Sequence, residues 1–338
     1  MIADVDHRRD THRRATVQAH VAAALRASAP AAVPAGREAA VLAALHHLAL
    51  AGRAPELAAA YEEGDAAAAA EAALDVLERM AADVAELARR RPLPDETGHP
   101  AVLYPLIAEA AHRSGAGAVG LVDVGRPAGL NLTVDRAAVA YDDGRTLGDP
   151  ASPVQVAAAI VGGWAVPDRP MPPVAARIVV DRAPLDVTDP DVAGWLRACL
   201  PPGDHDRAAR LAAEIALAAA DPPERMVGNP VDLLAAAVAL VPDGALPVVV
   251  TTWALSRFTR ERRRLLLQRL AAASAEREIA WVTVEGVGVA PEVPTFGDRP
   301  ASGHSILGLV RAAGGRVRGE GLGRCWLRGR MLAWLASG

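Results

Sequence analysis

The spacing of apolar residues changes once along this chain, after Gly117, and that change does most to decide what it can fold into. Before Gly117 the period is helical. Val17, Val21 and Leu25 recur within an alanine-rich stretch at 13–31, and Val41, Leu42, Leu45 and Leu48 within 38–51, which ends at Gly52. Helices are also predicted over 55–61, 67–91 and 101–114, the second stopped by Pro92 and Pro94 and the third by Gly115. After Gly117 comes Val119-Gly120-Leu121-Val122-Asp123-Val124, a short apolar run bounded by glycines, as a buried parallel strand would be. Similar runs lie at 177–180, 246–251 and 279–284, with a weaker one near Met226-Val227-Gly228. Helical stretches at 192–200, 206–220, 231–240 and 259–275 separate them.

Strands alternating with helices predict an α/β fold with a mostly parallel sheet and right-handed crossovers. Short runs at 316–318, 323–327 and 330–334 predict an antiparallel C-terminal hairpin closing that sheet. The expected organisation is a helical N-terminal domain at 1–116 and an α/β domain at 117–338. An insertion at about 133–174 fits neither period. It holds Asp142-Asp143-Gly144, Gly148-Asp149-Pro150, Gly162-Gly163 and prolines 167, 170, 172 and 173, and reads as a hairpin with a covering loop.

Composition narrows the chemistry. Of 338 residues 51% are hydrophobic but only 3% aromatic, so the core leans on close helix packing instead of large rings. Thirty-six basic residues face 40 acidic ones, which argues against a strongly basic nucleic-acid binder and a polybasic membrane-surface protein. Every basic residue is Arg, so Schiff-base and P-loop lysine chemistry are excluded. Two cysteines, Cys199 and Cys325, are too few for a disulfide framework or a zinc site, and no metal is expected. The polar N-terminus carries no apolar signal core, and no apolar run approaches bilayer length. The expectation is a soluble, cytoplasmic protein.

The segment Asp123-Val124-Gly125-Arg126-Pro127-Ala128-Gly129 follows the first strand and is expected to open a helix. Ligands of open α/β sheets bind outside the carboxyl ends of the strands, where glycine lets the backbone approach closely. A dinucleotide site needs G-x-G-x-x-G, and Arg126-Pro127 removes the middle glycine; a P-loop is absent. An acid at the strand tip suits a cationic or hydroxyl-bearing ligand better than a pyrophosphate.

This arrangement resembles the first motif of class I S-adenosylmethionine-dependent methyltransferases. The resemblance implies a Rossmann-like methyltransferase-type domain, with Asp123, Gly125, Gly129 and Asn131 near the methionine part of S-adenosylmethionine. It puts Asp181 on the ribose hydroxyls and Asn229 or Asp232 by the adenine. Thr251, Thr252 and Trp253 would line the transfer site.

A second resemblance covers most of the chain. It rests on Ala44-Leu45-His46-His47-Leu48, Gly52-Arg53-Ala54-Pro55-Glu56-Leu57, Glu96-Thr97-Gly98, Ala128-Gly129-Leu130-Asn131-Leu132 with the acid–glycine turn, Gly148-Asp149-Pro150, and Asp181 with Pro184-Leu185-Asp186. In that order these segments look like the bacterial family known as domain of unknown function 2332. The chain departs from that family's pattern at Asp95, where Asn is usual, and at His99, where Arg is usual. Thr251-Thr252 replace a His-Ser-like pair, and Trp326-Leu327-Arg328-Gly329 a His-Pro-His-Gly-like segment. If those histidines act in the family's chemistry, this member does a different reaction or is a degenerate relative.

Glu96 and His99 lie in a loop between helices, where they can act as base or orient an acceptor, or simply cap a helix. Together with Thr252 they are the catalytic candidates. His46 and His47 are adjacent in a helix, point to different faces, and read as packed or solvated residues. His304-Ser305 follows a Pro/Gly-rich loop that can form a lid, and Arg260 to Arg264 read as a solvated helix start. Three readings follow. The first is a small-molecule methyltransferase. The second keeps S-adenosylmethionine but performs a cyclisation or alkyl transfer. The third is a non-catalytic partner protein, dimeric through its N-terminal helices.

Overall fold

The computed structural model describes residues 17–27, 37–93 and 97–336. They divide into two compact units, 1–96 with 188–212, and 97–187 with 213–338. The chain is mixed α/β, with helices and one large, mostly parallel sheet.

The first unit is helical. It contains α1 (17–27), α2 (Glu38–Leu50), α3 (Pro55–Glu63), α4 (Ala66–Arg79), α5 (Ala81–Leu87), α6 (Pro190–Ala198) and the start of α7 (His205–Ala220). The predicted helix over 67–91 is broken at Met80, whose φ of −126° leaves the helical region although no Gly or Pro marks the spot. Small alanines let the helices approach closely around Leu25, Leu45, Leu48 and Leu57, with Tyr61 of α3 and Trp195 of α6 as large rings in that core. Trp195 Nε1 donates to the Arg91 carbonyl at 3.1 Å. His46 Nδ1 lies 3.2 Å from the Ala198 carbonyl and 3.0 Å from that of Leu200, so it carries the proton; burial lowers the pKa of the ring. His47 lies 3.5 Å from the Asp191 carboxylate and beside Trp195. Both histidines are thus packing residues, on different faces of α2.

The second unit is built on eleven strands: β1 (Val119–Val124), β2 (Ala138–Tyr141), β3 (Thr146–Gly148), β4 (Gln155–Gly163), β5 (Val174–Asp181), β6 (Glu224–Val227), β7 (Leu246–Thr252), β8 (Ile279–Gly286), β9 (Ser305–Ala313), β10 (Arg316–Trp326) and β11 (Met331–Trp334). Their order in the sheet is β3-β2-β4-β11-β10-β9-β8-β7-β1-β5-β6. The five strands β6-β5-β1-β7-β8 are parallel throughout, and β1 is the point from which the chain winds to both sides. From β8 the chain turns back on itself through β9, β10 and β11, all antiparallel. The carboxyl ends of β1, β5, β7 and β8 therefore share one edge with the start of β9 and the β10–β11 turn.

Period two along each strand sorts the core. Leu121, Val248, Val250, Val282 and Val284 face α8 (Pro100–Ser114), while Val122, Val124, Val249 and Trp281 face α9 (Leu234–Ala239) and α10 (Arg260–Ala273).

Beyond the break at Met80, β9 was not among the expected strands, and two further features differ from the sequence expectation. The insertion does form a hairpin, β2–β3, but β4 pairs with β11 and extends the sheet where a covering loop was expected. The apolar alternation of β4 is written in alanines, which blurs it. The long strand β10 carries Gly319, Gly321 and Gly323, which made it read as two short strands. A Cβ at Gly319 would stand 2.0 Å from the Glu292 carbonyl oxygen, and one at Gly321 2.7 Å from Phe296, so the β8–β9 loop lies directly on this strand.

Candidate site at the carboxyl edge of the sheet

The tip of β1 places Asp123 on the face toward α8, because Val119 and Leu121 face that way. The tip of β7 puts Thr252 on the same face and Thr251 on the opposite one. The chain after Gly125 (φ 80°) and Gly129 (φ 64°) forms a 3-10 helix, Leu130–Arg136, and not the expected α-helix; it carries Asn131 back over the strand tips. Pro100 at the first position of α8 sets the preceding His99 at the helix entrance.

These four residues form one buried chain. Asn131 Nδ2 donates to Asp123 Oδ2 at 3.0 Å and to Thr252 Oγ1 at 3.0 Å. His99 Nδ1 stands 2.8 Å from Asn131 Oδ1. Asp123 and Thr252 are fully buried, and His99 and Asn131 nearly so. The carboxylate fixes the amide orientation, since an ionised Asp123 only accepts; the amide oxygen then accepts from His99 Nδ1–H. The imidazole lone pair is thereby set on Nε2.

Trp253 follows Thr252 with φ 45°, a backbone conformation costly for a bulky side chain. Its ring lies 4.9 Å from that of His99 and 5.0 Å from the Arg328 guanidinium carbon, and its Nε1 donates to Ser305 Oγ at 2.8 Å. Leu327 and Arg328 also have positive φ, so strained residues gather at this edge. The structure thus brings His99, Thr252 and Arg328 together around Trp253.

The glycine turn is filled by side chains of the chain itself. Arg126 is buried and its Nε donates to the Thr252 carbonyl at 2.7 Å. Arg257 donates to the Gly125 carbonyl, and a Cβ at Gly125 would lie 3.2 Å from Ala254. Gly129 sits against Pro223 and Val179.

The other expected site residues occupy different positions. Asp181, at the tip of β5, accepts from the Ala183 N–H at 3.0 Å. Asn229 caps its own turn by accepting from Val231 N–H at 3.1 Å, and Asp232 pairs with Arg262. Thr251 Oγ1 accepts from Trp281 Nε1 at 3.0 Å on the α10 side, away from Asp123. Glu96 lies outside the described residues. His304 pairs with Asp298 at 2.8 Å, in the loop before β9.

Sequence reasoning missed Glu285, at the tip of β8. Its Oε1 accepts from the backbone N–H groups of Ala254 and Leu255 at 2.9 and 3.0 Å, and its Oε2 is buried with no partner. Burial pushes its pKa up to about 7, against the backbone donors and the charges of Arg126 and Arg257. The signal was the one that marked Asp123, an acid closing a buried apolar run.

Among the described residues no group of His, Cys, Asp and Glu is placed to hold a metal ion, and no helix is long and apolar enough to cross a membrane. In comparison with protein families, residues 5–334 match one, described as "Uncharacterized protein conserved in bacteria (DUF2332)". No curated protein and no solved structure gives a significant match.

Proposed function

The chain belongs to the DUF2332 family, and from the geometry of its site we propose that it is a small-molecule transferase of the Rossmann-like methyltransferase type, preceded by a helical N-terminal domain and using S-adenosylmethionine. The observation that carries a transfer reaction is the His99–Asn131–Asp123 chain at the point where the strand order reverses. His99 would take a proton from an acceptor hydroxyl or amine at Nε2 while Nδ1–H stays on Asn131. The imidazolium formed is then stabilised by Asp123 through the amide. Thr252 holds the amide from its other side, and Trp253 walls the acceptor against water.

The strand order β6-β5-β1-β7-β8 supports the methyltransferase type; the β9–β10–β11 meander is this chain's own ending. S-adenosylmethionine supplies an electrophilic carbon on sulfur when bound. Asp181, at the tip of β5 beside β1, suits the ribose end. The methionine end does not fit the site as it is folded. Asp123 is already bonded to Asn131, Arg126 spans the β1 and β7 tips, and Ala254 covers Gly125. Binding there would require the Arg126 side chain to leave the Thr252 carbonyl while Asn131 stays on Asp123.

Calorimetry with S-adenosylmethionine and with its demethylated product tests the proposal. Micromolar binding weakened by Asp181→Ala and by Asp123→Ala is expected, and no binding at millimolar ligand would remove it. In turnover, S-adenosylhomocysteine marks methyl transfer, whereas methylthioadenosine marks a cyclisation or alkyl transfer. The filled glycine turn favours one second reading, a non-catalytic partner protein. That reading expects His99→Gln to leave partner binding intact.

A further inference from the structure

A second buried carboxylate stands behind the site. Glu285 lies on the α10 face of β8, in line with Trp281 and Thr283, and its Oε1 receives the two N–H groups that begin the turn after Trp253. Those two bonds hold the backbone immediately after a residue at φ 45°, whose own N–H donates to the Val284 carbonyl of β8 at 2.9 Å. The turn is also held by Arg263 of α10, which donates to the Leu255 and Phe258 carbonyls, and by Arg257, which reaches Gly125. We propose that Glu285 is a positioning residue for Trp253, and that loss or gain of its proton tightens or loosens the packing of the Trp253 ring against His99.

The reasoning is electrostatic. An ionised Glu285 accepts two charge-assisted hydrogen bonds at Oε1, about twice as strong as neutral ones. Protonation removes the charge and weakens both. The charged groups that face it are Arg126, from the loop after β1, and Arg257, from the turn itself, both favouring the ionised form, while Arg263 of α10 is bonded to the carbonyls of the same turn. Strand β7 presents Thr251 on this face and β9 presents Ile306, and neither carries charge. Burial opposes ionisation strongly enough to bring the titration to near neutral pH, with Oε2 left without a hydrogen bond. A Gln here would make the same two contacts through its amide oxygen with no charge to bury, so Glu285→Gln isolates the effect of the charge.

The inference rests on reading the His99 cluster as the site, but its test needs no ligand. The indole N–H resonance of Trp253, assigned with Trp253→Phe, is followed in the full chain from pH about 5.5 to about 8.5. A sigmoidal shift with its midpoint near 7 is expected, preserved in His99→Gln and lost in Glu285→Gln. No shift in that range, or a midpoint unchanged in Glu285→Gln, overturns the proposal. Should the Gln variant not fold, Glu285→Asp keeps the charge with a shorter reach; a moved midpoint supports the proposal and an unmoved one overturns it. Titration without S-adenosylmethionine binding would remove the cofactor reading alone. Binding without titration would remove this one alone.

Discussion

The two faces of the sheet meet the same problem at the same edge and solve it differently. On the α8 face, Asp123 and Thr252 are tied to one another by the single amide of Asn131, with His99 on its other end. On the α10 face, Glu285 ties down backbone instead, while its Oε2 and the neighbouring Thr283 Oγ1 have no partner. A connected polar network rigidifies a core, and a half-connected one is costly. The α8 face ties side chains to one another, whereas the α10 face ties a side chain to backbone and leaves Glu285 Oε2 buried without a hydrogen bond.

The largest effect is expected where the α8 network is opened. Asn131→Leu removes the donor to Asp123 and Thr252 and the acceptor for His99 in one step. Leaving a buried carboxylate without its amide is expected to lower unfolding free energy by about 3–5 kcal/mol in urea titrations. A loss below about 1 kcal/mol would mean that the network is not what holds this edge.

Next comes the titration of Glu285. Its pKa is raised from 4.5 to about 7 in the folded chain, so the folded state keeps a proton that the unfolded state releases. Stability is therefore full below pH about 4.5, falls as pH rises, and levels off above about 7. At about 1.4 kcal/mol per unit the total is on the order of 3 kcal/mol. Glu285→Gln is expected to flatten this slope between pH 5 and 8, making the variant the more stable protein at pH about 8. An unchanged slope would place the titrating group elsewhere.

Much of the fold was legible in the sequence because buried parallel strands write continuous apolar runs. The run from Val119 to Val124, and those of β7 and β8, needed no tertiary information. What was hidden lies in strands whose side chains are small or missing. Gly319 and Gly321 in β10 answer to the β8–β9 loop, a contact visible only once the chain is folded. At the site, the acid–glycine turn marked Asp123, and the loop before α8 and the end of β7 marked His99 and Thr252, which Asn131 joins to it. That Asn131 links all three could not be read from spacing, since Asp123, Asn131 and His99 come from separate elements. Nor could Arg126 be seen to reach Thr252, because a side chain's direction after a glycine depends on a φ the sequence does not state.

A pair of smaller substitutions separates the faces most cleanly. Thr252→Val removes a buried acceptor from Asn131, which still holds Asp123, and is expected to cost about 1 kcal/mol.

Thr283→Val makes the same chemical change one strand away and is expected to have the opposite sign. Thr283 is as deeply buried as Thr252, but its hydroxyl makes no hydrogen bond, so replacing it by a methyl of similar volume relieves a desolvation cost without opening a cavity. The variant should be unchanged or more stable by up to about 1–2 kcal/mol, with the pH slope due to Glu285 still present. If Thr283→Val instead costs as much as Thr252→Val, the hydroxyl has a partner, and a water bridging it to Glu285 Oε2 becomes the first candidate. The α10 face would then be a connected network as well, and the contrast between the two faces would disappear.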